Sequence, residues 1–255
     1  MNVNPDKKPS TSRIIDIFGS RRVFMFYLFC LIVTVGTMVA SIVTSFIPPI
    51  NQVEKMLDHV SLCVGALLLL CIPIVMHRKY DFRIPWLINI TIAFMILAHF
   101  VLGEIYRFYD HVFLFDKLLH LTGGLVIAAC GFSIVYGFSR GEEGYMKLSP
   151  FFAGLFSFCF ALALLVLWEV FEYYVDTLGG YNMQRWRNGL QELEVDGVTY
   201  LITSVKQGHG LVDTMNDLII GIVGAAVVSV IGGLWFKKKP DNTKYLIVRK
   251  KLWKR

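Results

Sequence analysis

The sequence predicts an all-α polytopic membrane protein, a bundle of six transmembrane helices with both termini on the cytoplasmic side. Three observations predict it. The 255 residues are 55% hydrophobic with a mean hydropathy of +0.58, and only 17% are charged, too little polar surface to cover a soluble core of this size. Six apolar stretches each approach or exceed the ~20 residues that a helix needs to cross a bilayer. Lys and Arg, finally, are distributed unevenly between the two sides that six crossings define.

Taken in order, the predicted spans are Val23–Phe46, Leu57–Met76, Ile84–Tyr106, Leu118–Phe138, Pro150–Tyr174 and Leu218–Phe236. Residues 1–22 form a polar tail, 23–236 one membrane domain, and 237–255 a second, basic tail. The first span follows Arg13, Arg21 and Arg22, but its apolar run exceeds a cleaved signal segment and reads as a retained helix. Pro48-Pro49 ends it. Pro73 should kink the second span, because it lacks a backbone donor. The 139–149 loop, with Gly141, Glu142, Glu143 and Gly144, reads as a connector. The long loop, about 177–212, contains Glu192–Val195 and Val198–Ile202 on either side of Asp196-Gly197, a hairpin signal. Tyr181, Arg185 and Trp186 suit a surface at headgroup level. The loop serves either as a lid over the acidic residues or as a peripheral ornament.

One side, holding the N-terminal tail, the 77–83 and 139–149 loops and the C-terminal tail, carries 19 of the 25 Lys and Arg. The positive-inside rule makes that side cytoplasmic and the 177–212 loop external. The net charge of +6 therefore implies anionic lipid headgroups at the basic tail as the partner, and not nucleic acid. The five cysteines (Cys30, Cys63, Cys71, Cys130, Cys159) all fall inside spans. They read as packing residues, without disulfides or a thiol nucleophile.

The acidic residues carry the functional signal. Asp116 and His120 open the fourth span, Glu169, Glu172 and Asp176 close the fifth, and Asp213 and Asp217 lead into the sixth. Span parity brings these groups to one level on the external side. Spacings of three or four place each pair on one helix face. Carboxylates in a low-dielectric medium need a cation, a shared proton or a basic partner. Lys and Arg are scarce on this side, with Lys117 the nearest in sequence, so a bound ion or protons are expected. The candidate metal ligands are His120, Glu172, Asp213, Asp217 and Asp116, with Glu169 as general base. The cofactor expected is a divalent ion: a His/carboxylate set suits Zn²⁺, Mn²⁺ or Fe, and an all-oxygen set suits Mg²⁺ or Ca²⁺. Helix capping is the competing reading for Asp116 and Asp213. Asp58, His59, His99 and Glu104 form a second tier at the same level. Gly123, Gly124, Gly221 and Gly224 read as close helix contacts, and Trp168, Tyr173 and Tyr174 as an interfacial aromatic belt.

The strings Leu114-Phe-Asp-Lys-Leu-Leu-His120, Trp168-Glu-Val-Phe-Glu172 and Gly210-Leu-Val-Asp-Thr-Met-Asn-Asp217 resemble the DKxxH, WExxE and DTxxD pattern of YjdF-type bacterial inner-membrane proteins. The layout is more distantly similar to VanZ-like proteins, which are linked to glycopeptide tolerance. The resemblance implies this topology and these residues, without a reaction. Gly208-His209-Gly210 departs from the family's Gly-Asp run, which raises His209 as an added ligand.

The expected function is a multi-pass protein of the bacterial plasma membrane with an outward-facing His/carboxylate cluster, acting as a metal-dependent hydrolase or transferase on a lipid or envelope substrate. The alternatives are a non-catalytic envelope or stress-tolerance protein and an ion- or proton-coupled transporter. Against the transporter stand the missing inverted repeat and the apolar cytoplasmic halves of the spans.

Overall fold

A computed structural model describes residues 17–47, 53–80, 82–139, 148–187, 190–203, 207–238 and 249–250. Residues 1–16, Pro48-Pro49, most of the 139–149 connector and most of the basic tail lie outside the described residues. Six helical stretches are long and apolar enough to cross a membrane, as the hydropathy requires.

Helix α1 (Arg21–Ser45) starts at Ser20, whose side chain accepts from the Val23 N–H, an N-cap that satisfies one of the first free donors. The second span is α2 (Val53–Leu70) followed by α3 (Ile72–Tyr80). It breaks at Cys71, two residues before Pro73, where the expected interruption falls. Strand β1 (Phe82–Arg83) pairs antiparallel with β4 (Arg249–Lys250), which places Arg249–Lys250 at the turn between spans two and three.

The third span is α4 (Trp86–Ile96) continued by a π-helical segment, Leu97–Ile105. Hydropathy sees only a continuous apolar run and gives no sign of this wider winding. The chain then turns through Arg107, in the left-handed region, into the short helix α5 (Phe108–His111). Next come α6 (Phe115–Ser139) and α7 (Pro150–Gly179). Ser149 caps α7 with Pro150 at its first position, and Gly180 ends it at φ +68°, a backbone state that glycine adopts without strain. Strands β2 (Leu190–Val195) and β3 (Val198–Thr203) form the expected hairpin. Asp196 and Gly197 both have positive φ, the two-residue turn that matches strand twist. Helix α8 (His209–Lys238) completes the bundle.

Two three-helix groups result. In the first, Val23, Tyr27 and Cys30 of α1 pack with Ala66 and Leu70 of α2 and with Ala93, Ile96 and Val101 of the third span. In the second, α6, α7 and α8 meet through small residues, with Ala128, Ala161 and Ala225 fully buried. A Cβ on Gly124 would overlap the Gly221 carbonyl oxygen, and one on Gly224 the Leu121 carbonyl oxygen. Gly124, Gly221 and Gly224 therefore let α6 and α8 touch along their backbones, as the sequence suggested, whereas Gly123 faces Met95 of the third span and takes no part in that contact. The five cysteines are free.

Candidate functional site

Three helices build the site, and each delivers its polar groups for a local reason. Along α7 the buried residues are Ala153, Ser157, Ala161, Leu165, Glu169, Glu172 and Asp176, one inward stripe at helical spacing. Small and apolar side chains fill its lower part and carboxylates its end. Helix α8 begins at His209, so Asp213 lies inside the helix and not at its cap. Asp213 and Asp217 share a face one turn apart. Asp116 sits in the first turn of α6, with His120 one turn further in.

Lys117 occupies the centre. Its Nζ donates to Asp116 Oδ2 at 3.0 Å, Asp213 Oδ1 at 2.9 Å and Asp217 Oδ1 at 2.6 Å. The remaining oxygens of two of these carboxylates turn to the histidine: Asp116 Oδ1 lies 3.5 Å and Asp217 Oδ2 3.9 Å from His120 Nε2. The other ring nitrogen, Nδ1, faces Glu169 Oε1 at 3.7 Å. Asp116, His120 and Asp217 each offer a donor atom within 4.8 Å of the others, and Asp217 is 1% exposed. Glu169 Oε2 is buried with no hydrogen-bond partner among the described residues.

The other expected ligands stand apart from this triad. Glu172 accepts from Trp168 Nε1 at 2.7 Å, and Asp213 is bound to Lys117. Asp176 is a loop anchor: its two oxygens accept from the backbone N–H groups of Met183 and Gln184 at 2.7 and 2.9 Å. His209 Nε2 is buried without a partner among the described residues and lies outside the triad. Asp58 accepts from Tyr181 Oη at 3.4 Å, and His59 Nδ1 pairs with Ser41 Oγ at 3.1 Å. Those second-tier residues mark the same end of the bundle without joining the cluster.

The segment after α7 covers the site, and the hairpin does not. Nearly every described hairpin position is exposed. By contrast, Gln184 Nε2 donates to Thr214 Oγ1 at 2.8 Å, and Trp186 packs on Gly210. Arg185 turns inward, away from the headgroup level expected of it. Its guanidinium lies 4.5 Å over the Tyr109 ring and faces Asp110 at 3.5 Å and Glu104 at 4.0 Å.

Tyr109 rests on Gly103, where a Cβ would overlap its ring, and its hydroxyl is hydrogen-bonded to His99 Nδ1. Burial first, then the nearby Asp116 and Glu104 carboxylates, push the Tyr109 hydroxyl well above the ordinary phenol range, so it stays a neutral hydrogen-bonding group. His99 meets Trp168 edge-on at 5.2 Å. Trp168 is thus drawn inward between His99 and Glu172, whereas Tyr173 and Tyr174 remain exposed as an aromatic belt would. Sequence reasoning missed the central role of Lys117 and the His99–Tyr109 pair. The signal for Lys117 was its place beside Asp116, with a side chain long enough to reach across to α8.

Two cavities meet here. One, of about 520 Å³, is of mixed lining and includes Asp116, Lys117, Asp213, Arg185 and His209 in its wall. The other, of about 360 Å³, runs between the two helix groups and is almost wholly apolar, with His99 and His120 in its wall. Tyr109 borders both.

Comparison with known proteins agrees with this architecture. An uncharacterised protein of Thermotoga maritima is 28% identical over 162 residues, covering 62% of this chain and 68% of the relative. No solved structure matches the chain. A family model matches residues 28–238, from the first helix to the end of α8, and the chain therefore belongs to the multi-pass family described as predicted membrane protein (DUF2238).

Proposed function

We propose that the polar end of the bundle is a metal-assisted centre for hydrolysis or group transfer on a lipid or envelope substrate, at the outer face of a bacterial plasma membrane. The observation that supports it most is the divided use of the two aspartates: one oxygen of each binds Lys117, and the other faces His120 Nε2. These residues fit a divalent ion. Asp116, His120 and Asp217 would hold it, and a mixed nitrogen and oxygen set suits Zn²⁺, Mn²⁺ or Fe better than Ca²⁺ or Mg²⁺. Carboxylates also outnumber the Lys117 ammonium three to one, a charge balance that favours a further cation. When bound, such an ion would acidify water and polarise the substrate.

The protein's own groups supply the rest. Lys117 fixes the two aspartates in rotation, so that their free oxygens stay toward His120. Glu169 Oε1 stands behind the histidine, as carboxylates behind ligating imidazoles do, and sets the ring's orientation. Its unpartnered Oε2 suits a proton acceptor, the general-base role expected of Glu169. Glu172 and Asp213, first expected as ligands, take supporting roles through Trp168 and Lys117.

The uneven distribution of Lys and Arg supports cytoplasmic termini and an outward site, and a basic tail near anionic headgroups. The Thermotoga relative supports a bacterial membrane. The three sequence strings support kinship with YjdF-type proteins and, more distantly, VanZ-like ones.

Elemental analysis of protein purified without chelator tests the reading. About one equivalent of a transition metal is expected, lost in His120→Ala and Asp217→Asn and kept in Glu172→Gln. Protein without stoichiometric metal would overturn it. One observation favours a second reading, a non-catalytic envelope protein: Lys117 already ties three carboxylates together, a knot that holds α6 to α8 with no ion. That reading expects metal-free protein in which carboxylate substitutions lower stability alone.

A further inference from the structure

The apolar cavity lies within the membrane-spanning part of the bundle. Its wall runs on α6 from Leu119 to Ile127, on the third span from Met95 to Phe100 and on α7 from Leu164 to Trp168. At 1.5 Å per residue it reaches about 12 Å along α6. Two of its wall residues, Leu69 and Leu164, are also 36% and 38% exposed on the outer surface, so its side borders the surface that lipid covers. An apolar cavity of ~300–1,000 Å³ is the size of a ligand site. Its polar groups are confined to one end, where His99, His120 and Tyr109 stand, and His120 belongs to the triad as well.

We infer that this cavity holds the head-proximal part of a single hydrocarbon chain of a membrane amphiphile, which enters between the two helix groups and brings its polar linkage to His120. The head then lies in the larger cavity beyond Tyr109, over the charged groups of Asp116, Lys117 and Asp213 in its wall. This names the substrate class for the centre proposed above and rests on that reading for its chemistry. Occupancy of the cavity does not depend on it. His99 and Tyr109, which are hydrogen-bonded to each other, mark the boundary between tail and head.

Gly123 provides the handle. A Cβ there would meet Met95 Cε at 3.5 Å, ordinary contact, so a larger side chain grows into the cavity without forcing helices apart. Full-length protein is reconstituted in nanodiscs in two arms. One arm carries a phosphatidylcholine with a diazirine about eight carbons along one acyl chain, and the other a polyprenyl phosphate with a photoreactive group in its second isoprene, both within the ~12 Å that the cavity spans. After irradiation, labelled peptides are mapped by mass spectrometry. Labelling at Met95, Phe100 or Ile127 is expected in at least one arm, and the arm that labels identifies the chain. Gly123→Phe should lower it about tenfold, while labelling at the outward-facing Leu167 and Val170 stays constant. Leu164→Trp, at the lipid-facing wall, is a second variant with the same expectation should Gly123→Phe fail to fold. Labels confined to outward positions, or unchanged by both substitutions, would overturn the inference. Metal content is measured on the same preparations, so loss of the ion and loss of the chain are read separately.

Discussion

Lys117 Nζ contacts Asp116, Asp213 and Asp217 at 3.0, 2.9 and 2.6 Å, and its side chain is only 21% exposed. Removing one partner of a buried ion pair leaves the rest uncompensated, at ~3–5 kcal/mol. Partial exposure brings this down to about 3 kcal/mol. Lys117→Met is therefore expected to lower the melting temperature in detergent, and a second change, Asp213→Asn, should recover part of the loss by removing one unpaired charge. Unchanged melting in Lys117→Met would show that the three carboxylates do not depend on the ammonium. The convergence of Asp116, His120 and Asp217 was legible in the sequence, because span parity fixes depth and helical spacing fixes face. The place of Lys117 was not. A tally of cations on one side of a membrane does not say where a flexible four-carbon side chain will turn. Glu172 shows the same limit, since its pairing with Trp168 one turn earlier is visible only once the indole is known to face inward.

Among the elements, hydropathy located the six spans and misjudged their ends at the polar side. The sixth apolar span was expected from Leu218, with Asp213 at a helix cap, and the helix begins at His209. An apolar window stops at Asp213 and Asp217, whereas the backbone continues because Lys117 compensates those charges from α6. The π-helical winding at Leu97–Ile105 had no signature, since it alters hydrogen-bond register and not composition. The hairpin turn, by contrast, was fully legible in Asp196-Gly197. The glycines of the α6–α8 contact were legible as a class, and the structure separates those that matter. Gly124→Ala would drive a methyl group into the Gly221 carbonyl and should destabilise by ~1–3 kcal/mol, the usual cost of overpacking. Gly36 of α1 has nothing within 4 Å of an added Cβ, so Gly36→Ala should stabilise by ~0.5–1 kcal/mol through reduced backbone freedom. Thermal unfolding of both in one detergent should therefore shift in opposite directions. Shifts of the same sign would contradict the backbone contact between α6 and α8.

For the molecule as a whole, the two helix groups differ in construction. Both mix large and small buried residues, but only in the second do glycines bring two helix backbones into contact, with a Phe132–Val135 cluster filling its far end. The site and the apolar cavity lie where the two meet. Which face of the membrane this end addresses depends on charge. By span parity the sequence assigns 19 of the 25 Lys and Arg to the opposite side, nine of them in residues 237–255. Arg249–Lys250 pairs with Phe82–Arg83 at the turn between spans two and three. Each basic residue near an anionic leaflet contributes about 1 kcal/mol. An inverted orientation would carry most of them across the bilayer, while only six lie at the carboxylate end. A fluorescent-protein fusion at the C-terminus should accordingly be bright and a C-terminal alkaline phosphatase fusion inactive. Phosphatase inserted between Asp196 and Gly197 should be active, because the hairpin is exposed and makes no part of the bundle's core. The reverse pattern would turn the carboxylate cluster toward the cytoplasm and remove the outward-facing substrate from the proposed chemistry, while leaving the helix bundle and the triad's geometry as they stand.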